Sequence, residues 1–280
     1  MLYINFNGNI YPENEPLLPV SNRAFRYGDG FFESMVMFNK RIPLLDFHYG
    51  RIETTADVFQ VALPKRFSAE KFESKVLDLA AANGGWENAR IRLQFYRKGK
   101  GLYLPDEDEL GYAITMERIT NNRFESGDGL SVGLAEDCFK AVSNICDLKN
   151  SSALPYVFFA QRAAAENWDE LILLNSYGQV CEGIHSNIFL VKAEKLITPD
   201  LDTGCVSGVM RSYIMTMLEE EVEEREIEMK ELLEADEILF TNAVKGVQWV
   251  KSFETKIYTN KKADLLVGLL NKLLLNRTNS

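Results

Sequence analysis

Residues 180–191 read VCEGIHSNIFLV, a mostly apolar run typical of chain that feeds a buried strand. One carboxylate, Glu182, stands inside this run, two residues after Val180 and two before Ile184. A carboxylate removed from water costs free energy unless a nearby group holds its proton or its charge. Two interpretations remain open at this point: Glu182 marks a tight turn exposed to water, or it faces a cationic partner inside a site.

The composition is that of an ordinary soluble globular protein. The chain has 280 residues, of which 46% are apolar and 26% charged, enough for one large or two modest domains. The net charge is −10, and residues 219–237 hold 11 acids and 2 bases, which favours a solvated helix face and the turn after it. The acidic balance argues against a nucleic-acid partner, which needs a basic face.

The N-terminal residues contain no basic segment followed by a long apolar run, and no stretch reaches the length of a membrane span. We therefore expect a cytoplasmic protein without membrane contact. The four cysteines have no CxxC pairing, which indicates reduced thiols. With only two histidines in the chain, no metal site is expected.

Strand and helix patterns alternate in the first 118 residues. The Asn7-Gly8 pair predicts a tight hairpin turn, and Asn39-Lys40 predicts a turn between two further strands. Helix and strand periodicity predicts the following elements: a helix from Asp46 to Pro64, a helix over 68–84 ended by Gly84-Gly85, and strands over 89–97 and 110–118.

The second half of the chain shows the same mixture. Its patterns predict strands over 130–135, 170–175, 179–183, 187–192 and 237–243, and helices over 155–167, 208–222 and 263–275. The polar segment at 119–128 is rich in turn residues and reads as a linker. We therefore expect an α+β protein of two domains, a smaller one at 1–118 and a larger one at 129–280.

Three further features could carry chemistry, although each has an ordinary explanation. Lys149 follows an apolar flank that contains Ile145 and Leu148, and a buried lysine has the depressed pKa that a Schiff-base amine requires; a lone lysine is more often on the surface. Ser207 begins a helix whose free N–H groups could bind phosphate, although a simple Ser N-cap is commoner. Arg51 is a surface arginine unless a phosphate lies nearby.

Together with Glu182, these residues are the parts of a pyridoxal-phosphate site. Such a site needs an amine for the aldehyde, an acid for the ring nitrogen, and a helix start with an arginine for the phosphate.

Six segments carry a family resemblance over nearly the whole chain, in this order: SNRAFRYGDGFFES (21–34), HYGR (48–51), DLK (147–149), CEGIHSNIFLV (181–191), LDTGCVSGVMR (201–211) and LFTNAVKGV (239–247). The chain resembles the class IV aminotransferase family, the fold-type IV pyridoxal-phosphate enzymes. That group includes branched-chain and D-amino-acid aminotransferases and aminodeoxychorismate lyase. The resemblance implies a D-amino-acid aminotransferase-like architecture of mixed sheets with flanking helices, pyridoxal 5′-phosphate as cofactor, a small-molecule substrate and a homodimer.

The resemblance also implies a role for individual residues. Lys149 would form the internal aldimine, and Glu182 would keep the pyridine nitrogen protonated. The remaining assignments are cofactor contacts by Arg51, Asn187, the backbone at Val206 and Ser207, and the Thr241–Ala243 turn that includes Asn242, with Tyr27 and Tyr103 on the substrate side.

The substrate-side segments favour the lyase over an aminotransferase. A branched-chain enzyme is expected to place a tyrosine five residues after the lysine and a Gly-Thr-Ala turn near the phosphate, where this chain has Leu154 and TNAV. A D-amino-acid enzyme carries an Arg-x-His clamp, and the matching loop RKGKGLYLPDED (97–108) lacks the histidine. That loop, the 201–211 segment and Asn242-Ala243 look more like the lyase, although LKNSSAL replaces its LKHLNRL. The alternative is that the protein is an aminotransferase. A more distant alternative is that it is an inactive module that binds the cofactor.

Overall fold

The computed structural model describes residues 1–217 and 222–276, which form two compact units. The first unit comprises Met1–Asn122 and the short segment Lys149–Ser152. The second comprises Arg123–Leu148 and the described residues from Ala153 onward. The division after Asn122 falls inside the linker predicted at 119–128, whereas the sequence had placed Lys149–Ser152 with the second domain. In the described residues no helix is long and apolar enough to cross a membrane.

An antiparallel sheet with three helices forms the first unit. Its strands stand in the order β2-β1-β5-β4-β3. Their bounds are β1 Tyr3–Phe6, β2 Asn9–Pro12, β3 Gly30–Met37, β4 Ala89–Arg97 and β5 Leu110–Arg118, and those of the helices are α1 Arg23–Tyr27, α2 Leu45–Val58 and α3 Ala69–Ala82. Every second residue of β4 is buried (Ala89, Ile91, Leu93 and Phe95), so this face of the sheet carries the core.

Local signals explain several of these elements. Asn7 and Gly8 have φ of 51° and 91°, the left-handed pair that a two-residue hairpin turn needs, which confirms the hairpin. The helix expected over 68–84 is α3, and the Ser68 hydroxyl caps it by accepting from Lys71 N–H at 3.3 Å.

Two predictions in this unit were wrong in detail. The helix expected to run to Pro64 ends at Val58, because Gln60 adopts a φ of 51°. It begins after Leu44, with Asp46 in its first turn rather than at the cap. The turn at Asn39-Lys40 is present, but the chain after it forms only an isolated bridge between Phe38 and Arg41.

A mixed sheet forms the second unit, in the order β11-β10-β9-β12-β13-β6-β7-β8, with β14 paired to β13. β6 runs parallel to β7 and β13, and β10 parallel to β11. The strands are β6 Leu130–Lys140, β7 Glu170–Asn175, β8 Val180–Gly183, β9 Asn187–Lys192, β10 Lys195–Thr198, β11 Val222–Glu224, β12 Glu237–Asn242, β13 Gly246–Phe253 and β14 Lys256–Ile257. The helices are α4 Leu154–Ala165, α5 Val209–Met217, α6 Met229–Glu234 and α7 Lys261–Asn276, with one 3₁₀ turn at Leu201–Thr203.

The acidic stretch at 219–237 differs most from its prediction. The helix expected over 208–222 is α5 up to Met217, and its predicted continuation through 218–221 lies outside the described residues. Val222 belongs to strand β11 instead. Ile227 and Leu232 are buried in the core of this unit, so the stretch supplies core residues as well as a solvated face.

A buried carboxylate lies at the start of the C-terminal helix. Glu237, in β12, accepts hydrogen bonds from Lys262 N–H at 3.1 Å and from Thr259 Oγ1 at 3.1 Å. A carboxylate at a helix N-terminus satisfies free N–H groups and complements the helix dipole. Glu237 therefore ties α7 to the sheet.

A second buried carboxylate joins α2 to β3. Glu33, in β3, accepts from Arg51 Nε at 2.8 Å and from Arg51 Nη2 at 2.6 Å, and lies 2.6 Å from His48 Nδ1. Burial alone raises the pKa of Glu33, but the charge of Arg51 and the contact with His48 outweigh it and lower that pKa to about 2. Because Glu33 is ionised, it can only accept, and His48 Nδ1–H is the donor.

This ion pair makes stability depend on acid pH. Replacing Glu33 with Gln should lower the free energy of unfolding at pH 7 by about 3 kcal/mol, since its pKa falls from 4.5 to about 2 on folding. A carboxylate whose pKa is lowered by folding stabilises the folded state at every pH above its unfolded-state pKa. This stabilisation disappears as the pH falls from about 4.5 to about 2. Urea unfolding at pH 7, 4.5 and 2.5 measures the difference between wild type and E33Q.

The matched control is Glu87→Gln. Its carboxylate lies 3.9 Å from Lys40 Nζ with the side chain 65% exposed, and such a pair contributes less than about 1 kcal/mol. A difference between wild type and E33Q that stays constant down to pH 2.5 would contradict the assignment.

Candidate active site

Lys149 belongs to the first unit because its short segment pairs with the beginning of β3. Phe32 N–H donates to Lys149 O at 3.0 Å, and Ser151 N–H donates to Gly30 O at 2.9 Å. The Lys149 ammonium lies 4.6 Å from the centroid of the Phe32 ring, a cation–π contact. Backbone hydrogen bonds on both sides of Asn150 therefore fix the position from which this amine projects.

The pairing of β3 with β4 requires a glycine at position 30. A Cβ there would meet the carbonyl of Phe95 in the neighbouring strand β4, far inside contact distance. Gly30 thus lets β3 lie close to β4 while its carbonyl receives Ser151.

Arg51, predicted to bind a phosphate, is held in place by Glu33. Its side chain is 11% exposed and two of its nitrogens face that carboxylate. The cations of Arg51 and Lys149 both lower the pKa of His48, after burial as the largest cause, so both charges lie near this imidazole. The phosphate role of Arg51 stays a prediction.

Tyr27 and Tyr103, predicted on the substrate side, are neighbours with ring centroids 5.7 Å apart. The Tyr103 side chain is 89% exposed at the tip of the loop after β4. Arg23, which sequence reasoning missed although it lies in SNRAFRYGDGFFES, holds this loop. Its guanidinium donates to the carbonyls of Lys100 at 3.1 Å, Leu102 at 2.5 Å and Tyr103 at 3.1 Å, and to Asp29 at 2.7 Å.

Glu182 lies in the second unit, on β8, and is 2% exposed. Oε1 accepts from Lys140 Nζ at 2.5 Å and from Tyr156 OH at 2.7 Å, and Oε2 accepts from Val206 N–H at 2.8 Å. Of the two interpretations of this residue, the water-exposed turn is therefore excluded. The cationic partner within this unit is Lys140, at the end of β6, which sequence reasoning did not identify.

Lys140 and Glu182 form a charged pair inside the unit. Burial tends to lower the pKa of Lys140, but the charge of Glu182 outweighs it and holds that pKa above the ordinary value. Burial and the same carboxylate raise the pKa of Tyr156, which remains a neutral donor. The carboxylate thus has an ammonium, a phenol and a peptide N–H as fixed partners.

A polar cluster lies at the ends of β9 and β12. Asn187 and Thr241 are direct partners across these strands, and Asn187 Nδ2 donates to Val206 O at 2.7 Å. Thr241 Oγ1 is buried and has no hydrogen-bond partner among the described residues. A Cβ at Gly208 would collide with Asn187 Oδ1, so a glycine is needed where α5 begins.

The predicted backbone contacts at Val206 and Ser207 have partners within the chain. Val206 N–H donates to Glu182, and Ser207 N–H donates to Asp147 O at 2.9 Å. The polar group in this cluster without a described partner is instead the Thr241 hydroxyl. An unsatisfied buried hydroxyl costs free energy, and a phosphate oxygen would satisfy it. The donor set therefore fits a phosphate-bearing cofactor.

Asn242 closes the turn that follows β12. Its Oδ1 accepts from Val244 N–H at 3.0 Å and Lys245 N–H at 2.8 Å, and its Nδ2 donates to Ser186 Oγ at 3.1 Å. Ala243 lies in the same turn.

Hydrogen bonds and strand pairing link Glu182, Val206, Asn187 and Thr241 in one continuous arrangement within the second unit.

Comparison with known proteins identifies the family of this chain. The family model "Amino-transferase class IV" matches residues 30–253. A probable branched-chain-amino-acid aminotransferase of Thermotoga maritima is 35% identical over 208 residues, 71% of this chain and 68% of that protein. An aminodeoxychorismate lyase of Vibrio harveyi is 26% identical over 94% of this chain and 96% of that protein.

The fold is likewise similar to solved structures. The branched-chain aminotransferase of Thermoproteus uzoniensis with norvaline aligns with a TM-score of 0.86 and 22% identity, over 99% of this chain and 96% of that one. The expected fold class is thereby confirmed. The chain belongs to the class IV amino-transferase family, and it is a pyridoxal 5′-phosphate-dependent enzyme, an aminotransferase or a lyase, of the fold-type IV architecture.

Proposed function

We propose that this enzyme uses Lys149 and Glu182 as catalytic residues on an amino-bearing carboxylate substrate, and that its reaction is that of an aminodeoxychorismate lyase, forming 4-aminobenzoate and pyruvate. The observation that carries the site assignment is the buried carboxylate of Glu182. It is ion-paired with Lys140 and accepts from Tyr156 and Val206 N–H, so it is held in one orientation. A carboxylate kept in this way suits a ring nitrogen that must carry a proton.

The chemistry divides between the cofactor and the chain. Pyridoxal phosphate, when bound, supplies an electron sink for negative charge that develops beside the substrate nitrogen. Lys149 would hold the cofactor through its amine. When that amine is free, it would act as the base that takes a proton from the substrate ring in the lyase reaction, and the enolpyruvyl group would leave and take up a proton to give pyruvate. In an aminotransferase the same amine would take a proton from the substrate α-carbon.

Residues at the ends of β9 and β12 would hold the phosphate. Thr241 offers its buried hydroxyl, and Asn187 lies directly across from it. Arg51 would add a positive charge whose orientation is set by Glu33. The Asn242-Ala243 turn and the chain at Val206 and Ser207, whose N–H groups already donate within the chain, would border the cofactor.

Three substrate-side features support the lyase over an aminotransferase. Leu154 stands where a branched-chain enzyme is expected to have a tyrosine, and its side chain is largely exposed at the start of α4. The loop at 97–108 has no histidine for an Arg-x-His clamp. Tyr27 and Tyr103 instead present two aromatic rings, which suits a cyclic substrate. The family resemblance further supports a cytoplasmic homodimer.

Lys149→Ala is expected to abolish the absorbance near 400 nm (roughly where the protonated lysine–cofactor linkage absorbs) and to remove turnover, because no other amine would take its place. Absorbance spectra and steady-state assays of the purified variant check both results. Lys192→Ala, which removes an exposed lysine paired with Glu234, is the control and should resemble wild type. An unchanged spectrum in K149A would rule out the linkage.

Glu182→Gln should leave the cofactor bound but slow turnover by at least about a hundredfold, because a neutral amide no longer stabilises a protonated ring nitrogen. The turnover number and the cofactor content of the purified variant are measured together. Near-normal turnover at full cofactor content would refute the role of Glu182.

One comparison separates the two reactions. The purified enzyme is incubated with aminodeoxychorismate, and separately with L-glutamate, L-leucine or D-alanine in the absence of any oxo-acid. Release of pyruvate and 4-aminobenzoate, with no conversion of the cofactor to its amine form by the amino acids, is the outcome expected for the lyase. Conversion to the amine form without pyruvate release would replace it with an aminotransferase.

A further inference from the structure

Lys140 is a buried cation whose charge has so far been considered only as a partner of Glu182. Its side chain is 10% exposed, and its ammonium lies 2.5 Å from Glu182 Oε1. It stands at the end of β6, and Glu182 stands on β8, with β7 between the two strands. Burying an ammonium is costly unless a carboxylate repays it, so the pair is a fixed feature of this unit.

The other groups around the pair are neutral. The Tyr156 hydroxyl donates to the same oxygen, Oε1, and the Lys140 ammonium lies 5.6 Å from the centroid of the Tyr156 ring. Burial raises the pKa of the Cys181 thiol well above its ordinary value and that of Cys205 to about 11. The carboxylate of Glu182 is thus neutralised by Lys140, and the group as a whole carries no net charge.

The hydrogen bonds also leave one position open on the carboxylate. A carboxylate has about four lone-pair positions, two on each oxygen. Lys140 and Tyr156 occupy both positions on Oε1, and Val206 N–H occupies one on Oε2. Within the described part of the chain, the second position on Oε2 has no donor and is the one that remains for another group.

We propose that Lys140 is a positioning residue that weakens the hold of Glu182 on the proton of the cofactor ring nitrogen, and that Oε2 is the atom which receives this N–H. The inference rests on the proposed function, in which Glu182 faces that nitrogen. Lys140 holds its positive charge 2.5 Å from Glu182 Oε1, and in this buried environment it would repel a second positive charge on a protonated ring bound by the same carboxylate. Lys140 therefore moderates how strongly the ring withdraws electrons.

The test compares two cofactors on the apoenzyme. Pyridoxal phosphate and its 1-deaza analogue, which has a carbon in place of the ring nitrogen, carry the same aldehyde and phosphate. The ratio of their dissociation constants, measured by absorbance titration, therefore reports the interaction at the ring nitrogen and does not require turnover.

Lys140→Met should raise the preference for pyridoxal phosphate over the analogue by at least about tenfold, because the competing charge is gone. Lys140→Gln keeps a hydrogen-bond donor without the charge and should give the same increase. Lys140→Arg keeps the charge and should retain the wild-type ratio, as should the surface control Lys192→Met. An unchanged or smaller ratio in both neutral variants overturns the inference.

The same titrations separate this inference from the proposed function. If wild type does not bind pyridoxal phosphate, both fall. If Glu182→Gln keeps the wild-type preference, then Glu182 does not face the ring nitrogen and both again fall. If Glu182→Gln removes the preference while K140M and K140Q leave it unchanged, the role of Lys140 alone is wrong.

Discussion

The second unit is organised around a carboxylate that water hardly reaches. Glu182 would be unfavourable among its apolar neighbours without the ammonium of Lys140, the phenol of Tyr156 and the peptide N–H of Val206. These donors come from β6, from α4 and from the chain that leads into α5. The burial of one carboxylate thus depends on three separate parts of the second unit. The same arrangement continues from Val206, just before α5, to Asn187 in β9 and from there to Thr241 in β12.

In the first unit, the comparable constraint is a close approach between backbones. Gly30 lets β3 lie against the carbonyl of Phe95 and receives Ser151 through its own carbonyl. Lys149 is thereby positioned by main-chain hydrogen bonds, which do not depend on its side chain. The segment that carries this amine is therefore held in place whatever its side chain binds.

Sequence reasoning succeeded where a signal is local. Asn7-Gly8 specified a hairpin, because the conformation of a tight turn depends on residues a few positions apart. It did not find β13 or the end of α2, where packing rather than composition decides. Lys140 was missed for a similar reason: its partner lies 42 residues further along, and no motif connects them. The candidate chemical residues came from a family resemblance. Lys140 and Tyr156, which orient Glu182, lie outside the segments that carry it, whereas Val206 lies inside one of them.

Arg23 binds the loop at 100–103 through hydrogen bonds to backbone carbonyl oxygens. Every residue type offers such an oxygen, so the contact of Arg23 with the loop does not depend on the side chains of Leu102 and Tyr103. Evolution could exchange these side chains one at a time and change the preferred ligand while keeping the same scaffold. An arginine that holds a loop by its carbonyl oxygens therefore separates this contact from the chemistry of the loop's side chains.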